Sequence, residues 1–385
     1  MNLRAIQKKD VRYAVGLSAG TSGYGIQAAL VRLRGTGPDL HVKLVRCDGF
    51  PFKPALRARL LGGRFDLREI AVLGFELGEL LADAALEMIR AAREEQVEVD
   101  FVGLHGHVLA QQPPRGSDAC GLLQIGEPAV VAERTGLPVL SDFGHRDMAA
   151  GGQGGPIVAY ADWALYNRPD RTVACLHLGG VAGITVVTPK LENVLAFEIG
   201  PGMLTIDGAV RAVSNGRDEM DEGGDRAARG TVIPEVLEKL LEHRYFERVP
   251  PKTAGPATFA HDTFLKEVLE DRRHRAADDV VATVTEVVAE SVVRSYKRFI
   301  GPQYRIGRVV VCGGGALNAA LLQRVQRGLP DIVFRMSDQY HMPLIGCDGV
   351  AAAVLANETM LETPADTHKA TGVRHPVVLG KITPA

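Results

Sequence analysis

The amino-acid sequence predicts an α/β protein built from two similar domains that face each other across a cleft. Its 385 residues are more than one ordinary core organises, and about enough for two. A strand, a glycine-rich turn and a second strand occur near the start of the chain and again near its middle. A long amphipathic helix also leads into a short buried strand, as in α/β sheets. The predicted boundary near 169–171 divides the chain into residues 1–170 and 171–385.

The first predicted domain begins with an apolar strand over residues 13–17. The turn SAGTSGYG (18–25) follows, and then the second strand, IQAALVRL (26–33). From Val72 to Gln96 apolar residues recur at helical spacing, which predicts an amphipathic helix. This helix returns the chain to a buried strand over residues 101–104.

The second predicted domain repeats the arrangement. Residues 172–178 form a strand, the glycines of Gly179–Gly183 a turn, and residues 184–187 another strand. A later strand, 309–312, enters the turn Gly313–Gly315 before a helix that runs through Arg327. The charged and glycine-rich stretch 216–230 reads as a solvated loop.

Composition excludes several classes of function. The net charge of −2 provides neither a basic field for nucleic acid nor an acidic tail, so we expect a small-molecule ligand. The five cysteines are scattered and include no C-x-x-C pair, which favours free thiols over disulfides or zinc. No apolar run resembles a signal peptide or a membrane span, so we expect a cytoplasmic protein.

Three glycine-rich turns follow strands, at Gly20–Gly25, Gly179–Gly183 and Gly313–Gly315. Glycine allows close approach and positive φ, so such turns can present backbone N–H groups to phosphate oxygens. Taken alone, each of them is better explained as an ordinary tight turn, and only the set of three favours a phosphate site. None is a Walker loop or a dinucleotide fingerprint, so the set points to the actin-like ATPase plan.

Acid–base chemistry is predicted just before the glycine-rich run at 151–155. Asp147 could accept a proton from an attacking oxygen, and Arg146 could neutralise charge on a transferring phosphoryl group. An ordinary Arg–Asp pair on a loop explains the same two residues equally well.

Other polar residues carry weaker predictions. The histidines at 105, 107, 145 and 177 lack metal-ligand spacing and are read as structural or pocket-lining. Asp207 and Asp348 are candidates for magnesium or sugar contacts, although Asp348 could instead cap a helix. The only tryptophan, Trp163, lies in an apolar stretch and is read as core.

The chain resembles the anhydro-N-acetylmuramic acid kinases over nearly its whole length. The residues that carry the resemblance are GTS (20–22), HG (105–106), LQIGEPAVVAERTGLPVLSDF (123–143), RDMAAGGQGGPIV (146–158), LGGVAGIT (178–185), GPG (200–202), PPKTAG (250–255), VCGGGALN (311–318) and the tail VVLGKI. So many spaced motifs in one order make a chance match untenable.

The resemblance implies two actin-like (ribonuclease H-like) lobes around a nucleotide-binding cleft. It implies a cytoplasmic, homodimeric kinase that uses ATP and Mg²⁺ to open the 1,6-anhydro ring of a muramic sugar and phosphorylate its O6 in cell-wall recycling. Asp147 matches the family's general base and Arg146 the arginine of the same motif. The implied nucleotide contacts are Gly20, Thr21, Ser22, Gly23, Tyr24, Gly25, Gly179, Gly180, Gly200, Gly202, Gly313, Gly314, Gly315 and Asn318. The implied sugar contacts are His105, Gln124 and Asp348, and Asp207 is the candidate metal ligand.

Several polar positions depart from the family pattern. Tyr24 and Gln27 stand where the first phosphate loop of the family carries two acids. A phenol removes a hard anionic ligand from the place where magnesium would be held. His107, His177, Gly183, Glu198 and Met203 are further changes. Two other interpretations therefore stay open: a weak or inactive sugar- or nucleotide-binding paralogue, and a kinase for a different sugar.

Overall fold

The computed structural model describes residues 3–62, 65–114, 119–259, 264–270 and 275–385. The described strands are β1 (Val11–Ser18), β2 (Gly25–Arg34), β3 (His41–Pro51), β4 (Phe101–His105), β5 (His107–Gln112), β6 (Gly121–Ile125), β7 (Val139–Ser141), β8 (Val173–Leu178), β9 (Val181–Val187), β10 (Leu195–Pro201), β11 (Arg308–Cys312), β12 (Val333–Met336) and β13 (Lys381–Thr383).

The described α-helices, numbered in chain order, are α1 (Leu3–Gln7), α2 (Pro54–Leu61), α3 (Leu67–Glu94), α4 (Pro128–Thr135), α5 (Phe143–Ala149), α6 (Val158–Tyr166), α7 (Met203–Val213), α8 (Asp225–Arg229), α9 (Pro234–Leu241), α10 (Lys266–Glu270), α11 (Ala277–Ser295), α12 (Ala319–Gly328), α13 (Cys347–Met360) and α14 (His368–Thr371). None of these helices is long and apolar enough to cross a membrane.

Two mixed sheets of the same topology organise the chain. In the first sheet the order is β13-β7-β4-β1-β2-β3, and in the second it is β10-β9-β8-β11-β12. In each sheet three antiparallel strands come first in sequence, and two later strands add in parallel beside the first of them. The first sheet has one further edge strand, β13, which pairs antiparallel with β7. This repeated order confirms the predicted α/β fold of two actin-like halves.

Helix α3 covers one face of the first sheet, as the apolar spacing predicts. Its buried residues Leu73, Leu77 and Leu81 share a core with Val15 and Val102. The helix begins at Leu67, earlier than predicted, because the carboxylate of Asp66 accepts a hydrogen bond of 2.7 Å from the backbone of Glu69.

Helix α13 covers the opposite face at unusually short range. A methyl group added at Gly16 would lie 1.9 Å from the carbonyl oxygen of Gly349, and one at Gly103 would lie 2.3 Å from that of Ala352. Both strands therefore need glycine where the helix crosses them. This close crossing places the first turn of α13, which contains Asp348, beside the carboxyl ends of β1 and β4.

Two details differ from the predictions. The turn predicted at Gly179–Gly183 contains only Gly179 and Gly180, because β9 begins at Val181 and Gly183 pairs within the sheet. Stretch 216–230 is not simply a solvated loop. The buried carboxylate of Asp221 accepts hydrogen bonds from the backbone of Arg226 and Ala227, which starts α8.

Packing confirms the core prediction for Trp163, whose side chain is buried against Tyr160 with ring centroids 5.7 Å apart. Both belong to α6, which shares a core cluster with α13 and with strands of both sheets. All five cysteines are free, as predicted.

Candidate active site

The predicted phosphate-binding turns lie together at the carboxyl ends of the strands. A methyl group added at Gly180 would lie 2.9 Å from Thr21 Oγ1, so the first turn of one sheet touches the first turn of the other. One added at Gly202 would lie 2.5 Å from the carbonyl oxygen of Gly179, and one at Gly313 would lie 3.1 Å from the nitrogen of Gly179. The chain thus brings its glycine turns into one cluster that can present backbone N–H groups to an anion.

Individual glycines in this cluster have different reasons to be glycine. Gly20 and Gly23 have φ of 57° and 68°, a region that side chains disfavour. Gly25 pairs so closely with β3 that a methyl group would lie 2.2 Å from the carbonyl oxygen of Phe50. Gly314 faces open space, which leaves its surroundings free for a ligand. The side chain of Asn318 caps α12 by accepting from Leu321 N at 2.9 Å.

Tyr24 bridges the first glycine turn and α7. Its hydroxyl donates a 2.7 Å hydrogen bond to Asp207 Oδ2, and the guanidinium of Arg57 lies 3.8 Å from the centre of its ring. Arg57 also pairs with Glu219, on the same side as α7. Two contacts therefore tie the first phosphate loop and α2 to the second half of the chain.

Asp207, the metal ligand predicted from the sequence, has one carboxylate oxygen that is free to meet a metal ion. It is buried, and its Oδ1 has no hydrogen-bond partner among the described residues. Burial raises its pKa to about 6, against the opposing hydrogen bond from Tyr24. The described residues contain no group of three or more His, Cys, Asp or Glu arranged for a metal. A magnesium ion here fits only if phosphate oxygens or water complete its shell, an arrangement common for this ion.

Asp147, the predicted general base, is completely buried at the end of α5. Thr371 Oγ1 donates to its Oδ1 at 2.6 Å, and the backbone nitrogen of Gly154 donates to its Oδ2 at 2.8 Å. Burial raises the pKa of Asp147, and these two donors oppose the rise. No cationic side chain of the described residues forms an ion pair with Asp147. Arg146, the adjacent residue, is exposed on the same helix. The alternative of an Arg146–Asp147 pair is therefore wrong.

The predicted sugar contacts gather near the end of β4. The amide nitrogen of Gln124 lies 3.1 Å from His105 Nδ1 and donates to the carbonyl oxygen of Gly106 at 2.9 Å. Burial lowers the pKa of His105, while the negative charges of Asp348 and Asp142 act against this change. Neutral imidazole, amide and carboxylate groups together suit the hydroxyl and acetamido groups of a sugar.

Asp348 is not a helix cap. Gly346 occupies the cap position of α13, and Asp348 lies half-buried in the first turn. His107 has a structural contact, because its Nδ1 donates to the carbonyl oxygen of Gly20 at 2.7 Å. That contact joins the sugar side of the site to the first phosphate turn.

His177 lies in a separate buried cluster behind the third glycine turn. Its Nε2 donates to Asp162 Oδ2 at 2.7 Å, and its Nδ1 lies 3.2 Å from Cys312 Sγ. Burial alone would lower the pKa of His177, but the carboxylate of Asp162 raises it to about 9. This ion pair supports the structural interpretation of His177.

Glu198 precedes the Gly200–Gly202 turn, and its carboxylate bonds to the PPKTAG segment. Its side chain accepts a hydrogen bond from the backbone of Ala254, and its own nitrogen donates to the carbonyl oxygen of Lys252 at 3.0 Å. Burial raises the pKa of Glu198 to about 7, although the hydrogen bond from the Ala254 backbone opposes the rise. Glu198 therefore holds the PPKTAG segment (250–255) against β10.

Glu198→Gln is expected to become more stable than the unmutated protein as the pH rises. The raised pKa means that Glu198 favours the folded state most when protonated, and this contribution is lost as pH rises from about 4.5 to about 7. Urea unfolding at about pH 5 and about pH 8 should show the variant gaining on the order of 1–2 kcal/mol over the unmutated protein across this range. Glu192→Gln, at an exposed position, is the control. If the free energy of unfolding changed with pH in the same way for the unmutated protein and for Glu198→Gln, the raised pKa of Glu198 would be contradicted.

Sequence reasoning missed Thr371 and the role of Gln153. Thr371 lies 224 residues beyond the aspartate that it contacts, in a short polar segment with no periodic pattern. Gln153 donates from Nε2 to the carbonyl oxygen of Pro251 at 2.6 Å and accepts from Thr253 N at 2.9 Å. Its position in RDMAAGGQGGPIV marks it as part of a motif, but only the fold shows what it touches.

Comparison with known proteins identifies the family of the chain. Residues 12–385 match the family described as anhydro-N-acetylmuramic acid kinase. The anhydro-N-acetylmuramic acid kinase of Caldanaerobacter subterraneus subsp. tengcongensis is 39% identical over 395 residues, which cover 99% of both chains. That of Bacillus cereus strain AH187 is 35% identical over 96% of this chain and 99% of its own.

Solved structures are similar at lower identity. The (R)-2-hydroxyglutaryl-CoA dehydratase component A of Acidaminococcus fermentans has a TM-score of 0.44 and 13% identity, covering 91% of this chain and 99% of its own. A ROK family glucokinase from Streptomyces griseus, in complex with glucose and AMPPNP, has a TM-score of 0.40 and 15% identity, covering 90% and 99%. From the family match and the full-length relatives, this chain belongs to the anhydro-N-acetylmuramic acid kinase family.

Proposed function

We propose that this protein is an ATP-dependent kinase that opens the 1,6-anhydro ring of anhydro-N-acetylmuramic acid and phosphorylates O6 in cell-wall recycling. The observation that carries the proposal is Asp147, a buried carboxylate held by neutral donors in a protein of this family. A desolvated carboxylate without a cationic partner is a stronger base than an exposed one, as proton abstraction from water requires.

In the proposed reaction, Asp147 takes a proton from a water molecule while the water oxygen forms a bond to the anomeric carbon. The bond between that carbon and O6 breaks, and O6 forms a bond to the γ-phosphorus as ADP leaves. The glycine turns and Thr21 hold the phosphates, and His105, Gln124 and Asp348 hold the sugar. Arg146 would turn from solvent toward the transferring phosphoryl group, whose charge it can offset. Magnesium would be held through Asp207 Oδ1 and would offset phosphate charge.

The two halves, residues 1–170 and 171–385, are proposed to act as lobes that close on ATP and sugar. Closure would exclude water that the reaction does not need.

The protein is proposed to be cytoplasmic and homodimeric. Sedimentation of the purified chain would check the assembly, since a monomer at micromolar concentration would contradict it.

A coupled ADP-release assay tests the proposed activity. We expect ADP release from Mg-ATP to require 1,6-anhydro-N-acetylmuramic acid and to be much slower with N-acetylmuramic acid, which lacks the 1,6-anhydro bridge. ATP binding without sugar-dependent ADP release would contradict the proposal.

One observation favours a second candidate, a weak or inactive sugar- or nucleotide-binding paralogue. The hydroxyl of Tyr24, in the first glycine turn, already bonds to Asp207 Oδ2, and Arg57 stacks on the Tyr24 ring. If these contacts persist with nucleotide bound, the metal cannot use Asp207 Oδ2. A kinase for another anhydro-sugar stays the third interpretation, and a substrate screen distinguishes it.

A further inference from the structure

The carboxylate of Asp147 is held by a segment from the far end of the chain. Residues 365–374, here called the C-terminal strap, include α14 and carry Thr371. The Thr371 hydroxyl is buried and donates to Asp147 Oδ1 at 2.6 Å. The other oxygen is held within its own loop by Gly154, and Gly152 is so close that a methyl group there would lie 2.1 Å from Oδ2. The base therefore has little room to rotate.

The C-terminal strap is fastened to the Asp147 loop by its backbone, independently of the Thr371 side chain. Gln153 N donates to the carbonyl oxygen of Thr371 at 2.8 Å, and Arg374 N donates to that of Ala150 at 3.1 Å. Because these backbone bonds do not involve the hydroxyl, a substitution at Thr371 can remove the hydroxyl while the strap stays in place.

The strap and the Asp147 loop also contact other segments of residues 171–385. Lys369 Nζ donates to Asn193 Oδ1 at 2.8 Å. Gln153 joins the loop to Pro251 and Thr253, as described above. The position of the base is thus tied to both halves.

The electrostatic setting of Asp147 leaves Thr371 as its main side-chain contact. The charged or titratable side chains on the surrounding elements include His145 and Arg146 on α5, Arg374 on the strap and Glu198 beyond the PPKTAG segment. Asp366 and His368, also on the strap, pair with each other. His145 and Arg146 are exposed, Arg374 donates to Ala150 and Glu198 bonds to Ala254. None of these groups bonds directly to the Asp147 carboxylate among the described residues.

We propose that Thr371 is a positioning residue for the general base. This inference rests on the proposed function. By filling one lone pair of Oδ1, the Thr371 hydroxyl fixes the rotation of the carboxylate and leaves a defined lone pair for the proton of the attacking water. A hydrogen bond to the ionised form also favours that form, so its loss should raise the pKa of Asp147.

Thr371→Val tests the proposal, because valine keeps the shape of threonine without its hydroxyl. We expect kcat to fall about 10- to 100-fold with less than about a threefold change in the sugar KM. The acidic limb of the kcat/KM profile should move up by about one pH unit. Thr371→Ser should restore kcat to within about threefold, since it keeps the donor.

Thr367→Val is the matched control. Thr367 is also buried on the same strap. Its Oγ1 lies 3.2 Å from Thr371 Oγ1, and it makes no bond to Asp147. The Thr367→Val variant should have a lower melting temperature, with little change in the acidic limb of its kcat/KM profile. An unchanged limb in Thr371→Val, or an equal shift in Thr367→Val, would overturn the proposal.

Carboxyl ¹³C NMR measures the titration of Asp147 directly, without an activity assay. The Asp147 signal, assigned by its loss in Asp147→Asn, should titrate about one unit higher in Thr371→Val than in the unmutated protein. Absence of sugar-dependent turnover in the unmutated protein would count against the proposed function, whereas an unshifted titration in Thr371→Val would count against the positioning role.

Discussion

Asp147→Asn is expected to lower kcat about 10²- to 10⁴-fold while the protein stays folded. Asparagine keeps the shape of aspartate, so its Oδ1 can still accept from Thr371. Its amide cannot accept a proton from the attacking water, and its NH₂ group would face the Gly154 donor, which should cost some stability. The measurement is the steady-state rate of ADP release with saturating sugar and Mg-ATP.

Asp170→Asn provides the control for Asp147→Asn. Asp170 is exposed and pairs with the adjacent Arg171, so its loss should leave kcat unchanged. If Asp147→Asn retains at least a third of the unmutated rate at an unchanged melting temperature, another group accepts the proton and the proposed mechanism is wrong.

Tyr24→Asp is expected to make the stability of the protein depend on magnesium. A carboxylate at position 24 would be several ångströms shorter than the phenol and would face Asp207, leaving a gap between two anions. Without metal, the lost packing under Arg57 and the like charges should lower the free energy of unfolding by about 2–4 kcal/mol. Millimolar Mg²⁺ should recover much of this loss and raise kcat/KM for Mg-ATP about tenfold or more.

Tyr24→Phe separates the loss of the hydrogen bond from the gain of a ligand. It removes the partner of Asp207 Oδ2 without adding a charge, so it should lower the melting temperature by a similar amount in EDTA and in Mg²⁺. An equal response to Mg²⁺ in Tyr24→Asp and Tyr24→Phe would show that position 24 does not face the metal.

Local patterns in the sequence predict most of the fold. The strands around the three glycine turns and helix α3 follow from apolar periodicity, which directly reflects burial. The start of α3 was missed because it depends on one cap at Asp66, outside the apolar pattern. The turn after β8 was predicted too long because Gly183, a residue typical of turns, lies in a paired strand.

The site is predictable where one motif carries it and unpredictable where two segments meet. The glycine turns are confirmed as neighbours, and the assignments of ligands to them stay predictions. Asp147 is recognisable from its motif, but Thr371 lies far along the chain and only the fold brings them together. The bond between Tyr24 and Asp207 also joins distant segments, so the sequence indicates a changed residue without its partner.

The most direct test of the proposed reaction is the mass of the product formed from 1,6-anhydro-N-acetylmuramic acid and Mg-ATP in ¹⁸O-labelled water. If the chain hydrolyses the ring and phosphorylates O6, the product is heavier than the substrate by one phosphoryl group and one water, and the added water oxygen carries the label. A product heavier by a phosphoryl group alone, or the absence of product from folded protein that binds ATP, would contradict the account.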